Sequence, residues 1–206
     1  MKIHLSSAGK RFNREWIFRN ANLNFNESAS VAITGPNGSG KSTLLQCLGG
    51  MLQLNEGSMR FERGGQTIAD EKAHQHISFC APYMDVIEEM TLEEFLGFHH
   101  EFKPYLPGFS GKKIMETIGL THAALKQIRY YSSGMKQRVK LAQAIFSDVP
   151  CVLLDEPCTN LDAAGIALYH QLINDHCNNR LVIVSSNDEQ EYSFCKERIS
   201  ISDYKS

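Results

Sequence analysis

The segment Gly35-Pro36-Asn37-Gly38-Ser39-Gly40-Lys41-Ser42 has the spacing G-x-x-x-x-G-K-[ST]. Each residue type has a chemical reason. Glycines let the backbone curl until successive N–H groups point inward at phosphate oxygens. Lys41 brings a point charge to the β- and γ-phosphates of a nucleotide, and the Ser42 hydroxyl is a ligand for Mg²⁺. A helix beginning at Lys41 adds the positive end of its dipole. Gly35 to Thr43 is therefore expected to bind a nucleoside triphosphate.

A second constellation lies far along the chain. Cys151-Val152-Leu153-Leu154 is a continuous apolar run that ends in Asp155-Glu156. In open α/β sheets ligands sit at the carboxyl ends of strands. Asp155 can reach the Mg²⁺ from there, and Glu156 can polarise the attacking water. Pro157 after them fits a tight turn at the strand end.

These groups need elements to hold them. Ser30–Thr34 reads as a buried strand feeding the glycine loop, and Lys41–Met51 as the helix after it. Leu181–Val184 is a third apolar strand, followed by Ser185-Ser186-Asn187-Asp188. Such strands separated by helices imply a mostly parallel sheet covered on both faces. Before residue 30 the pattern is of short strands, Lys2–Leu5, Glu15–Phe18 and Ala21–Phe25, and residues 55–70 carry a hairpin signal. His76–Cys80 is another strand. Residues 83–147 read as helical: Thr91-Leu92-Glu93-Glu94 is a capping box, and further helices are expected at Lys112–Ile118 and Ser132–Phe146. Asp162–His176 is a later one. The expected class is α/β, a P-loop NTPase with a mostly parallel sheet flanked by helices. N-terminal antiparallel strands and an inserted helical subdomain complete it.

Composition narrows the functions available. Over 206 residues, 42% hydrophobic and 21% charged content is globular, so one core is expected. The formal net charge is −2, which argues against a strongly basic nucleic-acid binder. Six cysteines contain no C-x-x-C pair, so buried thiols in a reducing compartment are expected and not a zinc site. No stretch approaches the roughly 18 apolar residues that span a bilayer, and the first residues lack a signal-peptide core. A cytoplasmic chain, held at the membrane by another subunit, is the expectation. His99-His100 point apart on a helix and read as a solvated helix end, not a metal site.

One further segment separates the P-loop classes. No N-K-x-D motif occurs, against a GTPase. Tyr131-Ser132-Ser133-Gly134-Met135-Lys136-Gln137-Arg138 resembles the L-S-G-G-Q-x-Q-R signature of ATP-binding cassette (ABC) proteins, and Asn160-Leu161-Asp162 resembles their D-loop. The resemblance spans essentially the whole chain, with the motifs in family order. It implies a single nucleotide-binding domain over residues 1–206. Residues 1–82 and 148–206 would form the RecA-like core with its β subdomain, and 83–147 the helical subdomain. It also implies ATP and Mg²⁺ as ligands and a second cassette, in a homodimer or heterodimer, whose ATP is closed over by Ser132, Ser133 and Gly134. An integral membrane subunit would be the other partner, and no nucleic acid. Phe12 matches the adenine-stacking aromatic, with Trp16 and Phe18 as alternatives. Small exporter cassettes of haem-exporter and ABC-2 type are the most similar in length.

Three family motifs are altered. The first signature glycine is Ser133 and its glutamine is Met135. Pro82 or Ala81 stands where the Q-loop glutamine belongs, and Asn187 where the switch histidine belongs. Proline lacks both an N–H and a polar side chain, and asparagine cannot carry the charge of an imidazolium. ATP hydrolysis by Glu156, with Asn187 at the switch position and slow turnover, is the resulting expectation. The alternatives are an ATP-gated regulatory clamp with little turnover, or an ABC ATPase of non-transport type. The segment Tyr83–Met90, mixed apolar and acidic, suits the surface meeting a membrane subunit.

Overall fold

The computed structural model describes residues 1–205. In chain order the strands are β1 (Lys2–Phe12), β2 (Glu15–Phe25), β3 (Ser30–Thr34), β4 (Glu56–Arg63), β5 (Gln66–Ile68), β6 (Ile77–Cys80), β7 (Cys151–Asp155), β8 (Leu181–Ser185) and β9 (Glu197–Ser200). The helices are α1 (Lys41–Leu48), α2 (Asp70–Ala73), α3 (Leu92–Phe102), α4 (Gly111–Thr117), α5 (Ser133–Ile145), α6 (Ala163–His176) and α7 (Glu189–Tyr192). Two compact units result. The first comprises residues 1–79, 150–156 and 179 onward; the second comprises 80–149 and 157–178, so α6 groups with α3, α4 and α5.

The first unit holds both sheets. One is antiparallel, in the order β2-β1-β4-β5; the other has the order β6-β7-β8-β3-β9. In the second, β3 runs parallel to both β8 and β9, and β7 parallel to β8. Every residue of β7 and β8 is buried, as a parallel strand covered on both faces requires. The three short amino-terminal strands expected from the sequence are two long ones. β1 runs on through Ser6-Ser7-Ala8-Gly9, with register shifts between Leu5 and Arg11. Ser7 takes a positive φ of 46° within that stretch. Bulges of this kind absorb extra residues without ending the ladder, so small polar residues here do not make a turn.

The helix after the glycine loop stops at Leu48, short of the Met51 expected. The Gly49 N–H closes on Leu45 O and Gly50 turns to φ 73°. Four of the cysteines, Cys47, Cys80, Cys151 and Cys177, are buried. Burial pushes the Cys47 thiol up to about 11 and Cys151 up to about 12, so both stay neutral and behave as small apolar side chains.

The second unit is helical, and its caps follow the sequence. Thr91 Oγ1 accepts from the Glu94 N–H while the Glu94 carboxylate accepts from the Thr91 N–H. Ser110, Ser132 and Asp162 cap α4, α5 and α6. One expectation fails. His99 is not at a solvated end: it is half-buried, with Nε2 2.9 Å from Ser147 Oγ, while its neighbour His100 is exposed and lies against Tyr105. Burial first, and Lys103 second, push His99 down to about 4. A folded-state value below the ordinary 6.5 means that the unfolded chain takes up a proton that the folded chain refuses. Stability therefore falls as pH drops from about 6.5 toward 4 and is level above that window. With partial solvent screening the loss between about pH 7.5 and pH 5 is on the order of 1 to 2 kcal/mol. Urea denaturation of the chain and of His99→Gln at both pH values measures it. Equal pH dependence in the two proteins would assign the acid sensitivity elsewhere.

Candidate nucleotide site

β3 delivers the glycine loop and α1 receives it. Two glycines are dictated by space. Gly40 has φ 104°, and a Cβ there would lie 2.3 Å from Ile17 Cγ2. Gly35 has φ 147°, and a Cβ would sit 2.8 Å from Ser39 Oγ. No side chain caps α1, and its first turn carries no acidic residue. Its free N–H groups and dipole are thus left for an anion. Lys41 is 5% exposed, and its Nζ donates to Gly35 O at 2.9 Å and Pro36 O at 3.2 Å. The ammonium is held under the loop that it serves.

The register of the parallel sheet brings the other groups alongside. Ile33 pairs with Ser185, and Ser185 pairs with Asp155. The carboxyl ends of β3, β8 and β7 are thus neighbours, about 4.8 Å apart strand to strand. Ser42 Oγ donates to Asp155 Oδ1 at 3.0 Å, across 113 residues of sequence. Asp155 is 1% exposed. Two hard oxygen donors in contact, one of them a buried carboxylate, are a donor set that suits Mg²⁺.

Glu156 leaves the strand abruptly. Its N–H donates to Ser185 O at 2.9 Å, and its φ is 42°. A left-handed glutamate before a proline is strained at about 1 kcal/mol or more. The turn carries its side chain to the glycine loop. A cavity of ≈ 210 Å³ is lined by Ile17, by residues 37–43 and by Glu156. A cation, a ring of backbone N–H groups and a carboxylate facing one space can hold a polyphosphate and take a proton from water beside it.

Phe12 and Asn187 are not part of that lining. Phe12 ends β1 at the tip of the β1–β2 hairpin, 46% exposed, with Lys10 Nζ 5.2 Å from its ring centre. The two alternatives are engaged elsewhere: Phe18 is fully buried, and Trp16 has Arg19 at 4.5 Å and Arg11 at 5.4 Å over its ring. Asn187 is exposed, one residue past the point where the Ser186 N–H donates to Ile33 O.

In the second unit Ser132, Ser133 and Gly134 line a cavity of ≈ 350 Å³ with Met135, Arg138 and Asn160–Asp162. Ser132 Oγ accepts from the Met135 N–H at 3.3 Å. The glycine-to-serine change at 133 falls on an exposed helix residue. Gly134 is the position without room, since a Cβ would meet Asn160 O at 3.0 Å. Pro82 has a use in place of a polar side chain: its carbonyl accepts from Lys140 Nζ at 2.9 Å.

Gln137 is the residue that sequence reasoning passed over. It is 2% exposed, and its Nε2 donates to Pro157 O at 2.7 Å, holding the residue after Glu156. Its place within the signature segment was visible. Its inward direction depends on the helix face, which the segment alone does not give.

A family model described as ABC transporter matches residues 18–159. The chain belongs to the ABC transporter family. It is an ATP-binding ABC transporter subunit and an ATPase. It is 32% identical over 158 residues to the cytochrome c biogenesis ATP-binding export protein CcmA of Xylella fastidiosa (strain 9a5c), covering 77% of this chain and 70% of that protein. The CcmA of Chelativorans sp. (strain BNC1) is 30% identical over 172 residues, 84% of each chain. In fold, a putative ABC transporter ATP-binding protein from Pyrococcus furiosus superposes with a TM-score of 0.83 at 20% identity, over 100% of both chains. Among the described residues of this ABC subunit, no helix is long and apolar enough to cross a membrane.

Proposed function

We propose that this chain is the slow ATP-hydrolysing cassette of an exporter. It would work at the inner face of the cell membrane, paired with a second cassette and with an integral membrane subunit. The observation that carries the hydrolytic part is Glu156 lining the same cavity as Lys41. The names of the CcmA relatives, ATP-binding export proteins, support the exporter part. The whole chain acts as one nucleotide-binding domain in this reading.

Gly35–Thr43 grips the triphosphate, and Lys41 faces its β- and γ-phosphates. Phe12 stacks on the adenine. Ser42 and Asp155 would hold Mg²⁺, which would supply positive charge beside the phosphate oxygens. Glu156 takes the proton from the water that attacks the γ-phosphorus. Ser132, Ser133 and Gly134 close over the ATP of the other cassette. Asn187 donates an amide hydrogen bond where a histidine would bring a charge. That loss, with Pro82 at the Q-loop position, is what makes turnover slow. It also supports the second reading, a clamp that ATP closes and hydrolysis rarely opens.

Asn187→His tests the slow-turnover reading. An imidazolium at this strand end adds one charge-assisted hydrogen bond to charge developing on the γ-phosphate, on the order of 1.5 to 3 kcal/mol in the transition state. The expected result is a rise in kcat of roughly 10- to 100-fold with little change in ATP affinity. An unchanged or lower kcat, together with lost activity in Asn187→Ala, would mean that asparagine is already the fitted group.

A further inference from the structure

The signature-side cavity contains a side chain that no role above uses. His122, exposed in the short turn Thr121–Ala123, lines it together with Ser132, Ser133, Arg138 and Asp162. Arg138 is only loosely neutralised. Its Nη2 lies 3.6 Å from Asp162 Oδ1, an atom that already accepts from the Gly165 N–H at 2.8 Å. The first turn of α5, which opens into the same cavity, has no acidic residue. One carboxylate therefore faces a guanidinium, an imidazole and a helix N-terminus, and the cavity is short of negative charge.

Resting on the reading that two cassettes close over ATP, we propose that His122, backed by Arg138, contacts the polyphosphate held on the glycine loop of a second copy of this chain. It thereby supplies from across the interface a charge that Asn187 does not supply within the chain. The chemistry matches on both sides. A triphosphate offers several anionic oxygens, and an imidazolium makes a short charge-assisted hydrogen bond to one of them. Of the three ionisable groups facing the cavity, His122, Arg138 and Asp162, one is an imidazole. An imidazole is the type of group that changes charge between pH 5 and 8. The contact is therefore stronger when the imidazole carries its second proton.

The test uses the Glu156→Gln chain with Mg-ATP, so that hydrolysis does not dissolve the dimer. Sedimentation velocity gives the dimer dissociation constant near pH 6 and near pH 8. The expected parent dimer is about a hundredfold tighter at the lower pH, about tenfold for each of the two symmetry-related charge-assisted hydrogen bonds. Adding His122→Gln should remove that dependence and leave the weaker constant at both pH values. Adding His122→Lys should restore tight pairing at both, which a role in folding alone would not produce. Binding of Mg-ATP to dilute monomer should be the same in all three. A His122→Gln protein with the parent's affinity and pH dependence overturns the proposal and leaves the paired-cassette reading intact. Altered ATP binding by the monomer also overturns it, by placing His122 on its own nucleotide. A parent that never pairs in ATP removes the paired-cassette reading, and the proposal with it.

Discussion

Lys41→Ala is expected to weaken Mg-ATP binding by about 10- to 150-fold, measured by titration calorimetry. Each charge-assisted hydrogen bond that the ammonium would make to phosphate is worth about 1.5 to 3 kcal/mol. Tenfold in affinity corresponds to about 1.4 kcal/mol. The alternative is that Lys41 only braces the loop, since its Nζ already donates to Gly35 O and Pro36 O. A loss of stability by Lys41→Ala without nucleotide would mark the brace, whereas Lys41→Arg does not separate the two. A guanidinium keeps a charge but does not fit the space of a 5% exposed ammonium. Binding that survives in Lys41→Ala would mean that the glycine loop is not the nucleotide site.

Glu156→Gln should lower kcat by about 10²- to 10⁴-fold, the usual size of a general-base contribution, while ATP affinity holds. The amide keeps the shape and the left-handed backbone but cannot take the proton. With hydrolysis blocked, the ATP-bound chain should accumulate as a dimer, read as a doubled mass by light scattering. Phosphate release close to that of the parent would remove Glu156 from the chemistry. A mutant that stays monomeric in saturating Mg-ATP, at micromolar protein, would count against pairing of cassettes.

The glycine loop was legible because a phosphate cradle needs fixed residue types at fixed spacing. The structure adds the steric reason at Gly40, where Ile17 of a distant strand fills the space of a Cβ. Asp155 and Glu156 were legible as a strand end. Separate tasks for the two are expected from their order, but the geometry that parts them is not readable there, because it rests on one positive φ: Asp155 stays within the sheet and meets Ser42, and Glu156 leaves it to line the cavity at the glycine loop. β9 was missed, since Glu197-Arg198-Ile199-Ser200 is an edge strand with one apolar residue and no alternating pattern to find. His99 was misplaced because periodicity gives an angle around a helix axis and does not say what packs there. Ser147, 48 residues away, decides it.

The parallel pairing of β3 also sets a timetable for the chain as it is made. Both neighbours of this strand come late: Thr34 Oγ1 donates to Ile199 O, 165 positions further on. At about 5 to 20 residues per second, roughly 8 to 33 s pass between synthesis of one and of the other. The β1–β2 hairpin is local and can close at once. Val31-Ala32-Ile33, by contrast, must wait with open ladder edges on both sides, and the glycine loop waits with it. A ribosome-bound chain halted before β8 is therefore an apolar strand without a sheet. ATP cannot rescue it, because the groups that grip the nucleotide are assembled only when that sheet closes.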